Sequence, residues 1–206
     1  MSTLEPLASK YRPKSLDEFI GQQHLVGVNG PIRKFLETGN VPSMIFWGPP
    51  GTGKTTLAYI ISLNLYYDFY KMQAVNSGKE ELRKILKIAL NNQKYNRKTM
   101  LFLDEIHRWN KAQQDTLLPY VEKGVITLIG ATTENPSFTI ISPLLSRTKV
   151  FVFNQHTKED IATLLKRVIK KEYPKYKISK KVIDLIAELA NGDMRSALNI
   201  LEMSIT

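Results

Sequence analysis

The chain has no cysteine among its 206 residues. That excludes disulfide frameworks and thiolate-held zinc, and it suits a reducing, cytoplasmic setting. No apolar run approaches the roughly 20 residues that a membrane-spanning helix needs. The first residues, Met1-Ser2-Thr3-Leu4-Glu5-Pro6, lack the basic and apolar regions of a secretory signal. Acidic residues are scarce as well: 19 Asp and Glu stand against 29 Lys and Arg, a formal charge of +10. The three histidines, His24, His107 and His156, have no metal-ligand spacing and read as structural or surface residues. No Ser/His/Asp arrangement of hydrolytic type is present.

What is present centres on Gly48-Pro49-Pro50-Gly51-Thr52-Gly53-Lys54-Thr55, a complete G-x-x-x-x-G-K-[ST] phosphate loop. Ser43 to Trp47 before it is apolar enough for a buried strand, and Thr56 to Leu65 after it reads as a helix. Glycines let successive backbone N–H groups turn toward one point, and the helix N-terminus adds partial positive charge there. Lys54 is placed for β- and γ-phosphates, and the Thr55 hydroxyl for Mg²⁺.

In chain order, residues 1–14 read as extended, limited by Pro6 and Pro13. Ser15 and Glu18 form a capping box opening a short helix that ends at 21–24. A helix over 31–38 closes at Gly39. Residues 71–76 are a candidate second strand, and Ser77 with Glu80 caps a helix whose Leu82, Ile85, Leu86 and Ala89 share one face. A polar loop is expected over 91–98. Thr99 to Leu103 is an apolar strand ending in Asp104-Glu105, followed by a helix over 111–122. Val125 to Gly130 and Lys149 to Phe153 are the last strands. Beyond Asn154 only helices are expected. Thr157 caps one that buries Ile161, Leu164, Leu165, Val168 and Ile169. Ser179 caps another that turns Val182, Ile183, Ile186 and Leu189 inward, and a third runs on from Met194. Continuously apolar strands alternating with helices give an α/β fold, a parallel sheet covered on both faces. The expected division is a nucleotide-binding core at 1–153 and a small helical domain at 154–206.

A carboxylate ending a strand beside the phosphate loop is where Mg²⁺ is held, which suits Asp104. Glu105, next to it, is placed to deprotonate an attacking water. Thr132 and Thr133 follow the fourth strand on the same sheet edge, where a hydroxyl can report on the γ-phosphate; from spacing alone, a capped turn before Pro136 explains them better. Arg147 and Arg195 carry the always-charged guanidinium that suits a transferring phosphoryl group, yet each is also an ordinary surface arginine. Residues 79–98 hold seven Lys/Arg against two acids, and residues 165–181 eight against one. Such fields attract phosphate backbones, and they equally describe a solvated lysine-rich face.

These pieces, in this order, resemble the AAA+ ATPases, with Walker A at 48–55, Walker B at 100–105, sensor 1 near 132–133, an arginine finger at 147 and sensor 2 at 195. Within them the chain is similar to the RarA/MgsA family of replication-associated recombination proteins, which includes the Werner-helicase-interacting protein. The stretches that carry this are 12–22, 42–45 running into Walker A, 104–115, and above all Ile129-Gly130-Ala131-Thr132-Thr133-Glu134-Asn135-Pro136-Ser137-Phe138.

The resemblance implies a five-stranded AAA+ P-loop core, a helical lid, and ATP/ADP with Mg²⁺. It implies Gly48 through Thr56, with Lys54 and Thr55, on the phosphates and metal. Asp104 supports the metal, Glu105 activates water, and Thr133 serves as sensor 1 with Thr132 the alternative. Arg147 acts on the next subunit and Arg195 in cis. Tyr11, Arg12, Ile20 and Gln22 line an adenine pocket, and Gln73 is a candidate switch restraining Glu105. It further implies a DNA-dependent ATPase of replication, recombination and repair, acting on single-stranded, gapped or forked DNA with single-strand-binding and replisome proteins, cytoplasmic and nucleoid-associated, with no membrane partner. Family members continue into a C-terminal oligomerisation domain that builds homotetramers, so a chain ending at Thr206 is expected to be a fragment or a shortened member. Alternatives are a clamp-loader subunit, whose bacterial motor subunits carry a cysteine zinc module absent here, and a RuvB-like branch-migration motor, which shares Gly130 to Thr133 but not Glu134-Asn135-Pro136. A catalytically silent scaffold is opposed by the intact Lys54, Asp104, Glu105 and Arg147.

Overall fold

In the computed structural model, which describes residues 5–76 and 78–205, apolar strands alternate with helices. Two short helices, α1 (Leu7–Lys10) and α2 (Gln23–Val26), precede α3 (Pro31–Thr38), β1 (Met44–Trp47) and α4 (Lys54–Asn64). Next come β2 (Asp68–Gln73), α5 (Lys79–Lys94) and β3 (Thr99–Asp104). A 3₁₀ turn over Ile106–Arg108, α6 (Lys111–Asp115) and α7 (Leu118–Glu122) lead to β4 (Thr127–Thr132). The chain then runs through α8 (Pro136–Thr139), α9 (Ser142–Leu145) and β5 (Lys149–Val152) into α10 (Lys158–Glu172), α11 (Lys180–Leu189) and α12 (Met194–Ile205).

All five strands are parallel, in the order β2-β3-β4-β1-β5. The side chains of β1, β3 and β4 alternate between two cores, which is why these central strands read as mostly apolar. Met44, Phe46, Met100, Phe102 and Ile129 pack with α3 and α4 on one face. Ile45, Leu101, Leu103 and Leu128 pack with α5, Trp109 and Leu117 on the other. A third apolar cluster joins α10, α11 and α12 and takes in Leu7 of α1. Because the strands are parallel, the ends of β1, β3 and β4 open on one sheet edge, with Trp47 level with Thr132.

Several expectations change. Residues 7–10 are helical, not extended: Pro6, with its fixed φ, suits the cap position, and burial of Leu7 against the third cluster holds the turn. Residues 15–18 form a turn, because the Glu18 carboxylate accepts from Lys14 N (2.9 Å) rather than closing a capping box on Ser15. The cap expected at Ser77 lies outside the described residues, and α5 begins after Gly78. That helix runs on to Lys94, shortening the predicted loop. The second strand sits earlier than expected, over 68–73, paired in register with β3 from Asp68–Thr99 to Gln73–Asp104. The helix predicted over 111–122 is two, since Pro119 cannot donate back to Asp115. In α11 the inward face is Ile183, Ile186 and Ala187, continued by Ala190 at the C-cap, and the alanines allow close packing; Val182 and Leu189 are exposed.

Candidate nucleotide site

The strand ends, α1, α10 and α12 enclose a cleft of about 520 Å³. One end of it is the glycine loop between β1 and α4. Gly53 has φ +94°, and a Cβ there would press the Phe19 ring at 2.6 Å. A Cβ at Gly51 (φ +70°) would overlap the carboxylate of Asp193. Both positions need glycine for backbone and for space. Lys54 opens α4, and its buried Nζ donates to the carbonyls of Gly48 (2.7 Å) and Pro49 (2.6 Å). Burial pulls its pKa down to about 8, opposed by the charges of Asp104 and Asp193. Thr55 and Thr56 also line the cleft.

Asp104 ends β3, and Glu105 follows with φ +54°, a left-handed conformation unusual for a side-chain-bearing residue. Such strain is held where the surrounding structure over-determines it. Both carboxylates line the cleft, as does Gln73 beside Asp104 in the register. Thr132 is buried, its hydroxyl accepting from Glu134 N (3.0 Å) and lying 3.0 Å from His107 Nδ1. Thr133 is exposed in the cleft, and its side chain makes no hydrogen bond among the described residues. The donor set fits Mg²⁺·nucleotide: a hydroxyl and a carboxylate oxygen are hard ligands, and Mg²⁺ takes few protein ligands because phosphates and water complete its octahedron.

The opposite wall gathers Ala8, Tyr11, Arg12, Pro13, Phe19 and Ile20 with Leu164, Arg167, Met194, Arg195 and Leu198. Tyr11 donates to Glu172 (2.6 Å), and its pKa is pushed up to about 12 by burial and that carboxylate. Arg195 sits in the first turn of α12, where its backbone N–H and that of Ser196 donate to Asp193 Oδ1 (2.8 and 3.1 Å).

Four predicted site residues do not line this cleft. Gly48 and Pro49 present carbonyls to Lys54. Gln22, buried, donates to Asn154 O (2.6 Å) and accepts from Asn154 N (3.0 Å). Arg147 pairs with Glu122 at 2.6 Å on the surface. Sequence reasoning missed Asp193, Arg167, Phe19 and His156. His156 is buried in the cleft wall with Nδ1 3.8 Å from Asp160, and burial pulls its pKa below the usual histidine value. Only Asp193 had an available signal, as an Asp two residues before Arg195 at a helix start.

The model of the ATPase family associated with various cellular activities (AAA) matches residues 44–156. The chain belongs to the AAA family of ATPases. Among the relatives of this AAA domain, replication-associated recombination protein A of Haemophilus influenzae is 46% identical over 97% of the chain, covering 46% of that protein. The Escherichia coli K12 protein of the same name is 46% identical over 98%, again covering 46%. ATPase WRNIP1 of Dictyostelium discoideum is 44% identical over 97%, covering 23% of its length. The chain thus spans about half the length of the bacterial relatives, and the resemblance read from residues 12–22, 104–115 and 129–138 is borne out. Among solved structures, the RuvB Holliday junction branch migration motor of Thermotoga maritima superposes with a TM-score of 0.75 at 29% identity, over 93% of this chain and 64% of that one.

Proposed function

We propose that this AAA domain binds Mg²⁺·ATP in the cleft and hydrolyses it as the motor of a DNA-dependent ATPase maintaining replication forks. The observation that carries the reading is the opening of Asp104 and Glu105 into the same cleft as Lys54 and its glycine loop. On ATP binding, the Lys54 ammonium exchanges two loop carbonyls for phosphate oxygens, a stronger charge-assisted contact. Thr55 and Asp104 would hold Mg²⁺, which neutralises charge on the phosphates when bound. Glu105 takes a proton from water as the water oxygen bonds to the γ-phosphorus and the bond to the β-phosphate oxygen breaks.

Thr133, with its uncommitted hydroxyl, is sensor 1. Arg195 reaches the γ-phosphate in cis, and Arg147, off its own cleft, serves the nucleotide of a neighbouring copy. Tyr11, Arg12 and Ile20 flank the adenine. Residues 154–206 act as the lid, moving with nucleotide state. DNA dependence and replisome partners draw on the relatives' names, and assembly of the full-length protein into tetramers draws on the family resemblance; all belong to this proposal. A RuvB-like motor is the second reading, favoured by the structural likeness alone.

The test is steady-state ATP turnover with no DNA, with gapped or forked DNA, and with four-way junctions. Forks or gaps should stimulate most, and junction-only stimulation would move the reading to branch migration. Glu105→Gln should bind ATP and lose roughly 100-fold or more in turnover, as general-base removal does. Normal turnover by that variant would end the assignment.

A further inference from the structure

The two basic stretches of the sequence fare differently once folded. In residues 165–181 the charges disperse. Arg167 donates to Glu18 O (3.0 Å) and turns into the cleft. Lys166, Lys170 and Lys171 lie on α10, Lys175 and Lys177 on the connection, and Lys180 and Lys181 at the start of α11.

In residues 79–98 the charges concentrate. Lys79, Arg83, Lys87 and Lys94 fall within an arc of about 80° on α5, some 22 Å long at 1.5 Å per residue. All four are exposed, and none has an acidic partner among the described residues. The face about 110° round the helix is fixed by Leu82, Ile85, Leu86 and Ala89 against the sheet, so the stripe cannot rotate away. Lys79, Arg83 and Lys87 recur about every 6 Å, close to two phosphates of a DNA strand, which carries one per about 3.4 Å. The helix also starts where the cleft ends: Val75 and Asn76 line the nucleotide site, and Lys79 follows three residues on.

We infer that the α5 stripe is the surface that tracks a nucleic-acid phosphate backbone, and that phosphates held there act on the nucleotide site through residues 73–76. This rests on the DNA-dependent reading above and names the face that serves it. The contact is to backbone, so it gives affinity and salt dependence without base preference.

The test uses Arg83→Gln with Lys87→Gln, and as control Lys175→Gln with Lys177→Gln. Glutamine keeps helix propensity close to that of Lys and Arg, and neither α5 side chain has a partner to lose. Binding of labelled oligothymidylate and of duplex DNA is followed by anisotropy across a salt series, beside ATP turnover with and without each DNA. The α5 pair should lower the slope of log K against log salt by about 1.4 for single strands and about 1.8 for duplex. It should also reduce DNA stimulation while leaving DNA-free turnover unchanged, and the control should change neither. If the control alone lowers the slope, the inference is overturned and the DNA reading survives. If the unaltered chain binds neither DNA, both fall, whatever its ATP turnover.

Discussion

The two walls of the cleft are built on different principles. The phosphate wall comes from strand ends in one sheet, and its groups are set by parallel register: Trp47 level with Thr132, Gln73 level with Asp104. The opposite wall is assembled from α1, the 11–20 segment, α10 and α12, nearly the whole chain apart. Its ties include a surface pair, Lys10 to Glu172 (2.7 Å), and the Tyr11–Glu172 hydrogen bond. Exposed ion pairs contribute about 0–1 kcal/mol. The sheet edge is backed by two apolar cores, whereas the opposite wall is held together by a third, in which Leu7 and Tyr11 pack against α10 and α12.

The largest expected effect breaks the phosphate wall. Lys54→Ala removes an ammonium positioned for two charge-assisted hydrogen bonds, about 1.5–3 kcal/mol each, so ATP affinity should fall by more than about 100-fold. Calorimetric titration measures it, and a loss under tenfold would remove Lys54 from the phosphates. The pH dependence follows from the lowered pKa. Below about 8 the buried ammonium is charged in folded and unfolded chain alike and its burial costs stability in full. Between that value and the ordinary 10.5, the folded chain loses the proton first, so stability contributed by this group rises with pH. Phosphate oxygens restore the charge. ATP binding above pH 8 should therefore take up a proton, read as a heat that depends on the buffer's ionisation enthalpy. Binding without uptake there would contradict the arrangement.

A second change separates the walls from the scaffold. Gln22 was expected in the adenine pocket and instead satisfies both backbone groups of Asn154. Gln22→Ala removes both part-buried hydrogen bonds to the Asn154 backbone, about 0.5–1.5 kcal/mol each. At about 2–4 °C per kcal/mol for a chain of this size, Tm should drop by about 2–12 °C while ATP affinity stays within about twofold. Lost affinity at unchanged Tm would return Gln22 to the pocket.

The phosphate wall was legible because its chemistry is contiguous. Glycines, Lys54 and Thr55 stand in one motif, and Asp104-Glu105 closes an apolar run that can only be a strand. The parallel sheet followed from strands apolar on both faces. The other wall was legible only by resemblance, because nothing local tells Leu164 or Arg167 that they face Tyr11. Gln22 illustrates the limit: a polar residue beside pocket residues in sequence is spent on backbone satisfaction in space. The split of 111–122 was readable from Pro119, and the helix at 7–10 was not, since packing against α12 decides it.

The smallest expected effect lies where the walls meet. Asp193 caps α12 with two hydrogen bonds and sets its carboxylate against Gly51. The first turn that carries Arg195 is thus fixed by a residue that also touches the phosphate loop. If Arg195 reads the γ-phosphate, Asp193→Ala should weaken the preference for ATP over ADP by roughly 5- to 10-fold, the scale of a lost cap at about 1 kcal/mol. Asparagine caps as well as aspartate, so Asp193→Asn should recover most of that preference. Asp193→Ala combined with Arg195→Ala should be no worse than Arg195→Ala alone, because a positioning residue has nothing left to position. Effects that simply add in the double variant would mean that Asp193 acts on the phosphate loop directly, and the two walls would then be joined by charge rather than by the placement of a helix.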